Sequence, residues 1–404
     1  MKKSFSLIML IFWFEQASPQ AHDFFINDQT RQYYLHVPDS LPANAPLVFV
    51  LHGYSGSAQS IRNYSGMDQI ADDSAFAVCY PQGLKDQWNY RFWNVGYDFH
   101  DSQTVDDVAF LTALAQYLQN EYNLSSQNTF CTGMSNGGDM CYLLACQAPD
   151  VFSAVAPVAG CMMEWIYNSC TPASPIPVFE IHGTDDDITF WNGDPNNEQD
   201  YGAYLSVPAT FNFWAQLNSC AQYNLEILPN INAADGSYVV SEKYIQGIFN
   251  NEVWLYKVID GGHDWPGSWG NMDIDASAEI WNFFNQVIQK TTNVSKRNEN
   301  QIPNDVVLFQ NYPNPFNLVT TINYTTSQDG FVELCVCNAA GQLVATLVNQ
   351  RQMPGFHSVA FDASRLASGV YFLQNFHRGV FADKEDNFDQ VVDFNLRVKY
   401  SFIK

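Results

Sequence analysis

The chain has 404 residues, of which 47% are hydrophobic, so it can form two domains with sizeable cores and is not globally disordered. It carries 18 Lys and Arg against 42 Asp and Glu, a formal net charge of −24. That charge repels phosphate backbones and anionic membrane surfaces, which argues against nucleic acid and acidic lipid as partners.

The N-terminus has the order of a secretory signal peptide. Lys2 and Lys3 precede an apolar run from 7 to 14, and small residues follow between 17 and 21. The run is too short to anchor the chain in a bilayer, and no later stretch has the pattern of a transmembrane helix. We therefore expect residues 1–21 to be removed and the protein to be secreted or held at the cell surface.

Apolar runs and helical patterns alternate through the next part of the chain. The predicted strands are 24–37, 47–51, 76–80, 129–132, 154–158, 178–181 and 253–259, and the predicted helices are 105–122, 138–146 and 276–288. Strands alternating with helices indicate a mostly parallel sheet with helices on both faces. Residues 22–290 are therefore predicted to form one α/β domain.

The composition changes at Lys290. Residues 291–304 are polar and include a proline, as in a linker. Residues 305–404 have alternating apolar runs, at 332–336, 343–347, 358–361 and 370–373, separated by Gly, Asn and Asp. No helical period is evident there, so we predict a small all-β, immunoglobulin-like sandwich.

The sequence contains nine cysteines. Export permits disulfides, and Cys161 and Cys170, which bracket a short loop, are the pair that we expect to be bonded. The odd number leaves at least one thiol free or intermolecular. The cysteines and histidines lack the spacing of a zinc site, and we predict neither a metal nor an organic cofactor.

Residues 133–137 are Gly-Met-Ser-Asn-Gly, which fits the Gly-x-Ser-x-Gly pattern of a nucleophile elbow. A predicted strand enters this turn and a predicted helix leaves it, as the pattern requires. Flanking glycines let the strand and the helix approach closely, so that the Ser135 hydroxyl stands clear on a strained turn. A tight turn without chemistry is the alternative interpretation.

A serine hydroxyl needs a base, and in this architecture the partners should follow in the order Ser, Asp, His. His263 and Asp186 each follow a predicted strand, where catalytic groups collect in open α/β sheets. Ser135, Asp186 and His263 are therefore predicted as a catalytic triad. Asp185 and Asp187 are alternative acids, and a weak calcium site is another interpretation of this acidic loop.

Acyl transfer also needs two fixed N–H donors for the oxyanion. The predicted donors are the backbone N–H of Asn136, directly after the serine, and that of Tyr54, in the glycine-containing loop after an early strand. His52 in that loop is predicted to brace it rather than to act as a second base.

Three tryptophans, Trp88, Trp93 and Trp265, fall in loops near these motifs. They are candidates for binding the acyl or sugar group of a substrate, although core packing explains them equally well. The polar loop at 191–203, which follows the predicted acid, is a candidate for part of a lid.

Residues 44–290 resemble the secreted polyhydroxybutyrate depolymerase and feruloyl or acetylxylan esterase family of α/β-hydrolases. The matching motifs lie at 51–53, 93–94, 106–108, 133–138, 156–160, 182–184, 206–208, 214–215 and 261–263. The resemblance implies Ser135, Asp186 and His263 as the triad, and polysaccharide-linked or polyhydroxyalkanoate esters as substrates. The chain departs from the family at 187–190, where a proline-containing segment is expected, so the resemblance does not predict the shape of this loop.

Residues 305–404 resemble the C-terminal sorting domain of type IX secretion substrates. The matching motifs are Asn-Tyr-Pro-Asn-Pro-Phe-Asn at 311–317, Thr-Ile-Asn-Tyr at 321–324, Gly-Phe-His at 355–357 and Ser-Gly-Val-Tyr-Phe at 368–372. The resemblance implies recognition of this domain by the secretion machinery, with surface attachment or release. The segment 383–393 is longer and more acidic than the pattern expects.

The sequence therefore predicts a secreted serine esterase that acts through an acyl-enzyme. The alternative is a non-catalytic surface binding or adhesion protein that keeps a hydrolase fold. A pure binder has no need for Ser135 and His263 together, so the ordered triad favours the enzyme.

Overall fold

The structure is a computed structural model that describes residues 20–298, 319–326, 329–353, 355–367, 369–380, 391–394 and 399–403. The predicted signal peptide, apart from its last two residues, lies outside this part of the chain. Two compact units are present, one comprising residues up to 210 with 226–241 and 255–282, the other 211–225, 242–254 and 283–404. Within the described residues, no helix is both long and apolar enough to cross a membrane.

A ten-stranded sheet and a short hairpin contain the first twelve strands. The strands are β1 (His22–Ile26), β2 (Gln29–His36), β3 (Ala45–Leu51), β4 (Ala77–Gln82), β5 (Leu84–Lys85), β6 (Arg91–Phe92), β7 (Leu124–Met134), β8 (Ala154–Val158), β9 (Val178–Gly183), β10 (Gln222–Ile227), β11 (Tyr238–Ile245) and β12 (Val253–Ile259). β5 and β6 form the hairpin, and the other ten follow the order β1-β2-β4-β3-β7-β8-β9-β12-β11-β10.

The centre of this sheet is parallel and largely buried. β4, β3, β7, β8 and β9 pair in parallel, whereas β1 and β2 are antiparallel additions at one edge. All residues of β4, β8 and β9 are buried, as expected for strands covered on both sides. The predicted α/β fold with a mostly parallel sheet is confirmed.

Seven α-helices accompany the sheet within the described residues. They are α1 (Ala58–Ser65), α2 (Met67–Ser74), α3 (Asp107–Glu121), α4 (Asn136–Gln147), α5 (Glu164–Ser169), α6 (Val207–Leu217) and α7 (Ala276–Asn298). α3 shows why such segments are helical: the Asp106 side chain caps its first turn, and Phe110, Leu114 and Leu118 bury one stripe.

Helix α7 corrects the predicted linker. It continues to Asn298, ten residues beyond the predicted helix end at 288, so residues 291–298 are helical rather than part of a linker. The polar composition of this segment misled the prediction, because a helix can continue without an apolar stripe to mark it. Residues 299–304 of the predicted linker lie outside the described part.

The C-terminal region is all-β, as predicted. Its strands are β13 (Val319–Thr326), β14 (Gly330–Asn338), β15 (Leu343–Gln352), β16 (Gly355–Asp362), β17 (Val370–Val380), β18 (Val391–Phe394) and β19 (Lys399–Ile403). β13 pairs with β16, and a second sheet has the order β15-β14-β17-β18, with β19 also on β17. Buried side chains from both sheets, including Ile322, Leu334 and Phe361, share one core, which is the arrangement of a sandwich.

The disulfide joins Cys146 to Cys170, so the predicted Cys161–Cys170 pair is wrong. Cys146 lies near the end of α4, and Cys170 directly follows α5. Cys161 is a buried thiol whose backbone N–H donates to Asp139 at 2.6 Å. The prediction judged proximity along the chain, whereas the bond follows the packing of two helices.

Candidate active site

Ser135 occupies a strained turn between β7 and α4. Its φ of 56° and ψ of −124° are rarely adopted by a residue with a side chain, and such strain concentrates at functional sites. A Cβ at Gly133 would lie 2.7 Å from the backbone of Gly137, and one at Gly137 would lie 2.5 Å from the Leu51 carbonyl oxygen. Only glycine fits at either position, and the turn has the geometry of a nucleophile elbow.

Trp93 and Asn136 tie this elbow to the loop after β3. The buried Asn136 side chain accepts from the Trp93 N–H at 2.7 Å and donates to the Trp93 carbonyl at 3.0 Å. The Trp93 indole N–H in turn donates to the His52 carbonyl at 2.9 Å. Because Trp93 is fully buried by these contacts, core packing explains it and substrate binding does not.

His263 and Asp186 come together above the ends of β12 and β9. The His263 Nδ1 lies 2.8 Å from Asp186 Oδ2. The same carboxylate accepts from the backbone N–H groups of Ile188 at 2.9 Å and Thr189 at 2.8 Å. Burial raises the pKa of Asp186, but the hydrogen bond and charge of His263 outweigh it, so the pKa falls below its usual range and the group stays ionised.

The two neighbouring acids are placed differently. Asp186 is only 4% exposed. Asp185 and Asp187 are exposed to solvent on either side of it. A single buried carboxylate on the imidazole favours Asp186 over both alternatives.

The loop after β3 passes directly over the serine. A Cβ at Gly53 would lie 3.3 Å from the Ser135 Cβ, so this loop brings the predicted donor Tyr54 to the site. His52 braces the loop: its Nδ1 lies 2.8 Å from the Gly53 carbonyl, and its Nε2 accepts from the Gly83 N–H at 3.0 Å. Burial lowers the pKa of His52 to about 4, so it is a neutral support.

A cavity of about 230 Å³ opens beside the serine. It is lined by Tyr54, Tyr97, Ser135, Cys161, Ile188, Thr189, Tyr201 and His263. None of the three predicted tryptophans lines it. Trp265 is buried and donates its indole N–H to Ser277 at 3.1 Å, so it belongs to the core, while Trp88 is 53% exposed outside the cavity.

Sequence reasoning missed the acid beneath this cavity. Asp139 is buried in the first turn of α4, where it accepts from the Tyr97 hydroxyl and, at 2.6 Å, from the Cys161 N–H. It thereby holds two walls of the cavity, and burial raises its pKa to about 6. Its position four residues after Ser135, on the same side of a helix, was the signal available in the sequence.

Comparison with known proteins finds two matching families. Residues 31–176 match the family described as esterase PHB depolymerase. Over these residues the chain is similar to that family. The match includes Ser135 and ends before Asp186 and His263, so the predicted roles of these two residues as acid and base depend on the geometry described above. Residues 310–378 match the secretion system C-terminal sorting domain, which assigns the esterase to the secreted or cell-surface class.

Relatives of this chain match it over different lengths. A putative esterase, NocK, of Nocardia uniformis subsp. tsuyamanensis is 28% identical over 62% of this chain and 75% of its own length. A bifunctional acetylxylan esterase/xylanase of Neocallimastix patriciarum is 26% identical over 39% of this chain and 22% of its own length. A probable feruloyl esterase C of Aspergillus niger is 30% identical over 40% of this chain and 57% of its own length.

Among solved structures, an acetyl xylan esterase from Aspergillus awamori superposes with a TM-score of 0.48 at 17% identity. It covers 67% of this chain and 99% of its own length.

Proposed function

We propose that the protein is a secreted serine esterase that cleaves carboxylic esters through an acyl-enzyme. The observation that carries this proposal is one arrangement of three side chains. Ser135, on its strained turn, lines the same cavity as His263. The Nδ1 atom of His263 lies 2.8 Å from Oδ2 of the buried Asp186. A nucleophile, a base and an orienting acid are the parts that acyl transfer needs.

The reaction follows from these positions. Ser135 Oγ attacks the ester carbonyl while His263 Nε2 takes its proton, and the backbone N–H groups of Tyr54 and Asn136 stabilise the oxyanion. The intermediate collapses, and His263 returns the proton to the leaving alcohol. Water then attacks the acyl-enzyme by the same route, which releases the acid and restores the serine.

Asp186 controls which nitrogen of the base is free. Because its ionised carboxylate faces Nδ1, the proton of neutral His263 resides there and the lone pair of Nε2 is left for the serine. This tautomer is the one that can accept the Ser135 proton.

The cavity fits a small or aromatic acyl group. Its volume is about 230 Å³, and three tyrosines, Tyr54, Tyr97 and Tyr201, form much of its wall. We infer that acetyl or hydroxycinnamoyl esters on polysaccharide suit this cavity better than a long polyester chain. The relatives named as acetylxylan and feruloyl esterases support the same substrate class.

Ester hydrolysis by the purified protein tests the proposal. The panel is p-nitrophenyl acetate, methyl ferulate, acetylated xylan and 3-hydroxybutyrate oligomers, with Ser135→Ala as the matched control. A fluorophosphonate should add to Ser135 and block turnover, which peptide mass spectrometry locates. Binding of these esters without any turnover would instead support an adhesion protein on a hydrolase fold.

A further inference from the structure

Aromatic rings continue from the cavity wall to the protein surface. Phe99 is the hub: its ring centroid lies 5.2 Å from that of Tyr97, 5.7 Å from Tyr201 and 5.8 Å from Trp88. Tyr54, on the cavity wall, also contacts Tyr90, with 5.8 Å between centroids. We call the surface part of this series, Trp88, Tyr90 and Phe99, the aromatic ridge.

The tip of the ridge is an exposed turn with a buried support. Residues 86–90 connect β5 to β6, and Trp88 is 53% and Tyr90 51% exposed. Asp86 is only 8% exposed, and its Oδ1 accepts from the backbone N–H groups of both aromatic residues at 2.9 Å. Its Oδ2 accepts from the Tyr54 hydroxyl at 2.6 Å, which joins the tip to the cavity wall.

This surface has the chemistry of a sugar-binding site. Exposed aromatic faces cover the apolar C–H face of a pyranose ring, and clustered exposed aromatics mark interaction surfaces. Amide side chains lie beside the rings: Gln87 donates to the Phe99 carbonyl at 2.8 Å, and Gln103 donates to Gln87 at 2.7 Å. These amides retain further donors and acceptors for hydroxyl groups.

We propose that Trp88 and Tyr90 form a subsite that stacks a neutral sugar ring of the polysaccharide carrying the ester. The inference rests on the proposed function, since the cavity takes the acyl group and the ridge takes the chain to which it is attached. The net charge of −24 disfavours an anionic polymer at the same place. A polyester has no flat C–H face that matches the rings and no hydroxyls for the amides.

Sugar binding by the inactive Ser135→Ala protein tests this subsite independently of ester hydrolysis. Calorimetric titration with unesterified xylo-oligosaccharides should give measurable affinity. Adding Trp88→Ala or Tyr90→Ala should weaken that affinity by about tenfold, the loss of one good contact. Trp88→Phe, which keeps a ring, should lose less. Trp269→Ala is the matched control, because that indole is 69% exposed and takes no part in the ring series.

Kinetics supply the second measurement. In the active enzyme, Trp88→Ala should reduce kcat/KM for feruloylated xylo-oligosaccharides about tenfold more than kcat/KM for methyl ferulate, which lacks the sugar. The subsite would be overturned if Trp88→Ala lowered kcat/KM equally on both substrates. It would also be overturned if the ridge variants kept their sugar affinity, or if Trp269→Ala had an equal effect. Ridge-dependent binding of 3-hydroxybutyrate oligomers in place of the sugars would overturn it as well. If the protein hydrolysed none of the esters but still bound sugars through the aromatic ridge, the proposed function would be rejected and the subsite would stand.

Discussion

The Nε2 of His182 lies 3.4 Å from Oδ2 of Asp186, in the interior of the esterase. The same nitrogen faces the Thr189 carbonyl at 2.8 Å, and Nδ1 faces Glu180 Oε1 at 2.9 Å. Because each ring nitrogen of His182 faces an oxygen acceptor, each nitrogen needs a proton to donate. Burial lowers the pKa of His182, but the hydrogen bond and charge of Glu180 outweigh it and the pKa is raised. A buried cation therefore accompanies the proposed triad acid.

His182 is accordingly expected to act as a positioning residue. In His182→Gln the Asp186 carboxylate loses a positive charge that helps to lower its pKa, so the acidic limb of the rate profile should move to higher pH. We expect kcat to fall about tenfold while KM changes little. His36→Gln is the matched control, since His36 also meets a carboxylate, Asp72 at 2.8 Å, but on the surface. A lower kcat with an unmoved pH profile would indicate a purely structural role.

Removal of the nucleophile should leave a folded protein. Ser135→Ala replaces a strained residue without adding bulk, so its thermal unfolding should resemble that of the wild type. Turnover of p-nitrophenyl acetate should fall by roughly three or more orders of magnitude, because the remaining groups cannot form an acyl-enzyme. Near-normal turnover in a preparation free of contaminating esterase would reject the assignment of Ser135.

The three aspartates of the acidic loop provide an internal comparison. Asp186→Asn should lower kcat by roughly three to four orders of magnitude, because an amide facing Nδ1 no longer fixes the productive tautomer of His263. Asp185→Asn and Asp187→Asn change exposed side chains and should stay within about threefold of wild type. The measurement is kcat for all three variants on one substrate. A larger loss of kcat in Asp185→Asn or Asp187→Asn would reassign the role of triad acid to that residue.

The sequence predicted elements best where apolar runs were long and continuous. The strands 154–158 and 253–259 agree with β8 and β12 at both ends, because the continuous apolar run of a buried strand is easily recognised. β10 was not predicted, although its apolar residues Tyr223, Leu225 and Ile227 alternate with polar ones. All six of its residues are exposed, so no continuous apolar run marks it. Motif order likewise brought Ser135, Asp186 and His263 to one site, although their catalytic roles stay predictions.

Contacts between segments that lie far apart in the chain could not be predicted from the sequence. The cavity wall residues Tyr97 and Tyr201 belong to loops about a hundred positions apart, and neither carries a motif. Composition also gives no means of telling a core tryptophan such as Trp93 from an exposed one such as Trp88, because burial depends on the fold around them.

Asp139 makes stability depend on pH. Its pKa is about 6 in the folded protein, against about 4 in an unfolded chain, so the native state holds the proton more tightly. The resulting stabilisation is complete below about pH 4 and is lost as the pH rises through about 6. Asp139→Asn lacks this titration, so the wild type should lose stability relative to the variant between about pH 4 and 7.

Thermal unfolding of both proteins at several pH values measures this difference. Asp185→Asn is the control, because it removes an exposed carboxylate from the same domain and should show no such trend. A constant gap between wild type and Asp139→Asn across that range would contradict a titrating buried acid.

The length of α7 determines where the C-terminal domain can be removed. Lys290 Nζ lies 2.6 Å from Glu252 Oε1, and the Phe283 ring centroid lies 5.2 Å from that of Trp254, so the part of α7 from 283 to 290 is held by the segment that begins β12. A chain ending at Asn298 keeps these contacts and should retain wild-type activity on soluble esters. A chain ending at Asn282 loses them and should unfold at a lower temperature.

Export should respond in the opposite way to catalysis. The sorting domain match lies at 310–378, outside the residues proposed for chemistry, so its removal leaves the triad, the oxyanion donors and the cavity in place. In the native host, the chain ending at Asn298 should stay behind the outer membrane with its esterase activity intact, which cell fractionation and an ester assay measure together. In the converse experiment, residues 305–404 are fused to a fluorescent protein that carries the same signal peptide, and this fusion should be exported. Failure of that fusion to leave the cell, combined with tight binding to xylan or polyhydroxybutyrate, would show a polymer-binding domain in place of a sorting domain.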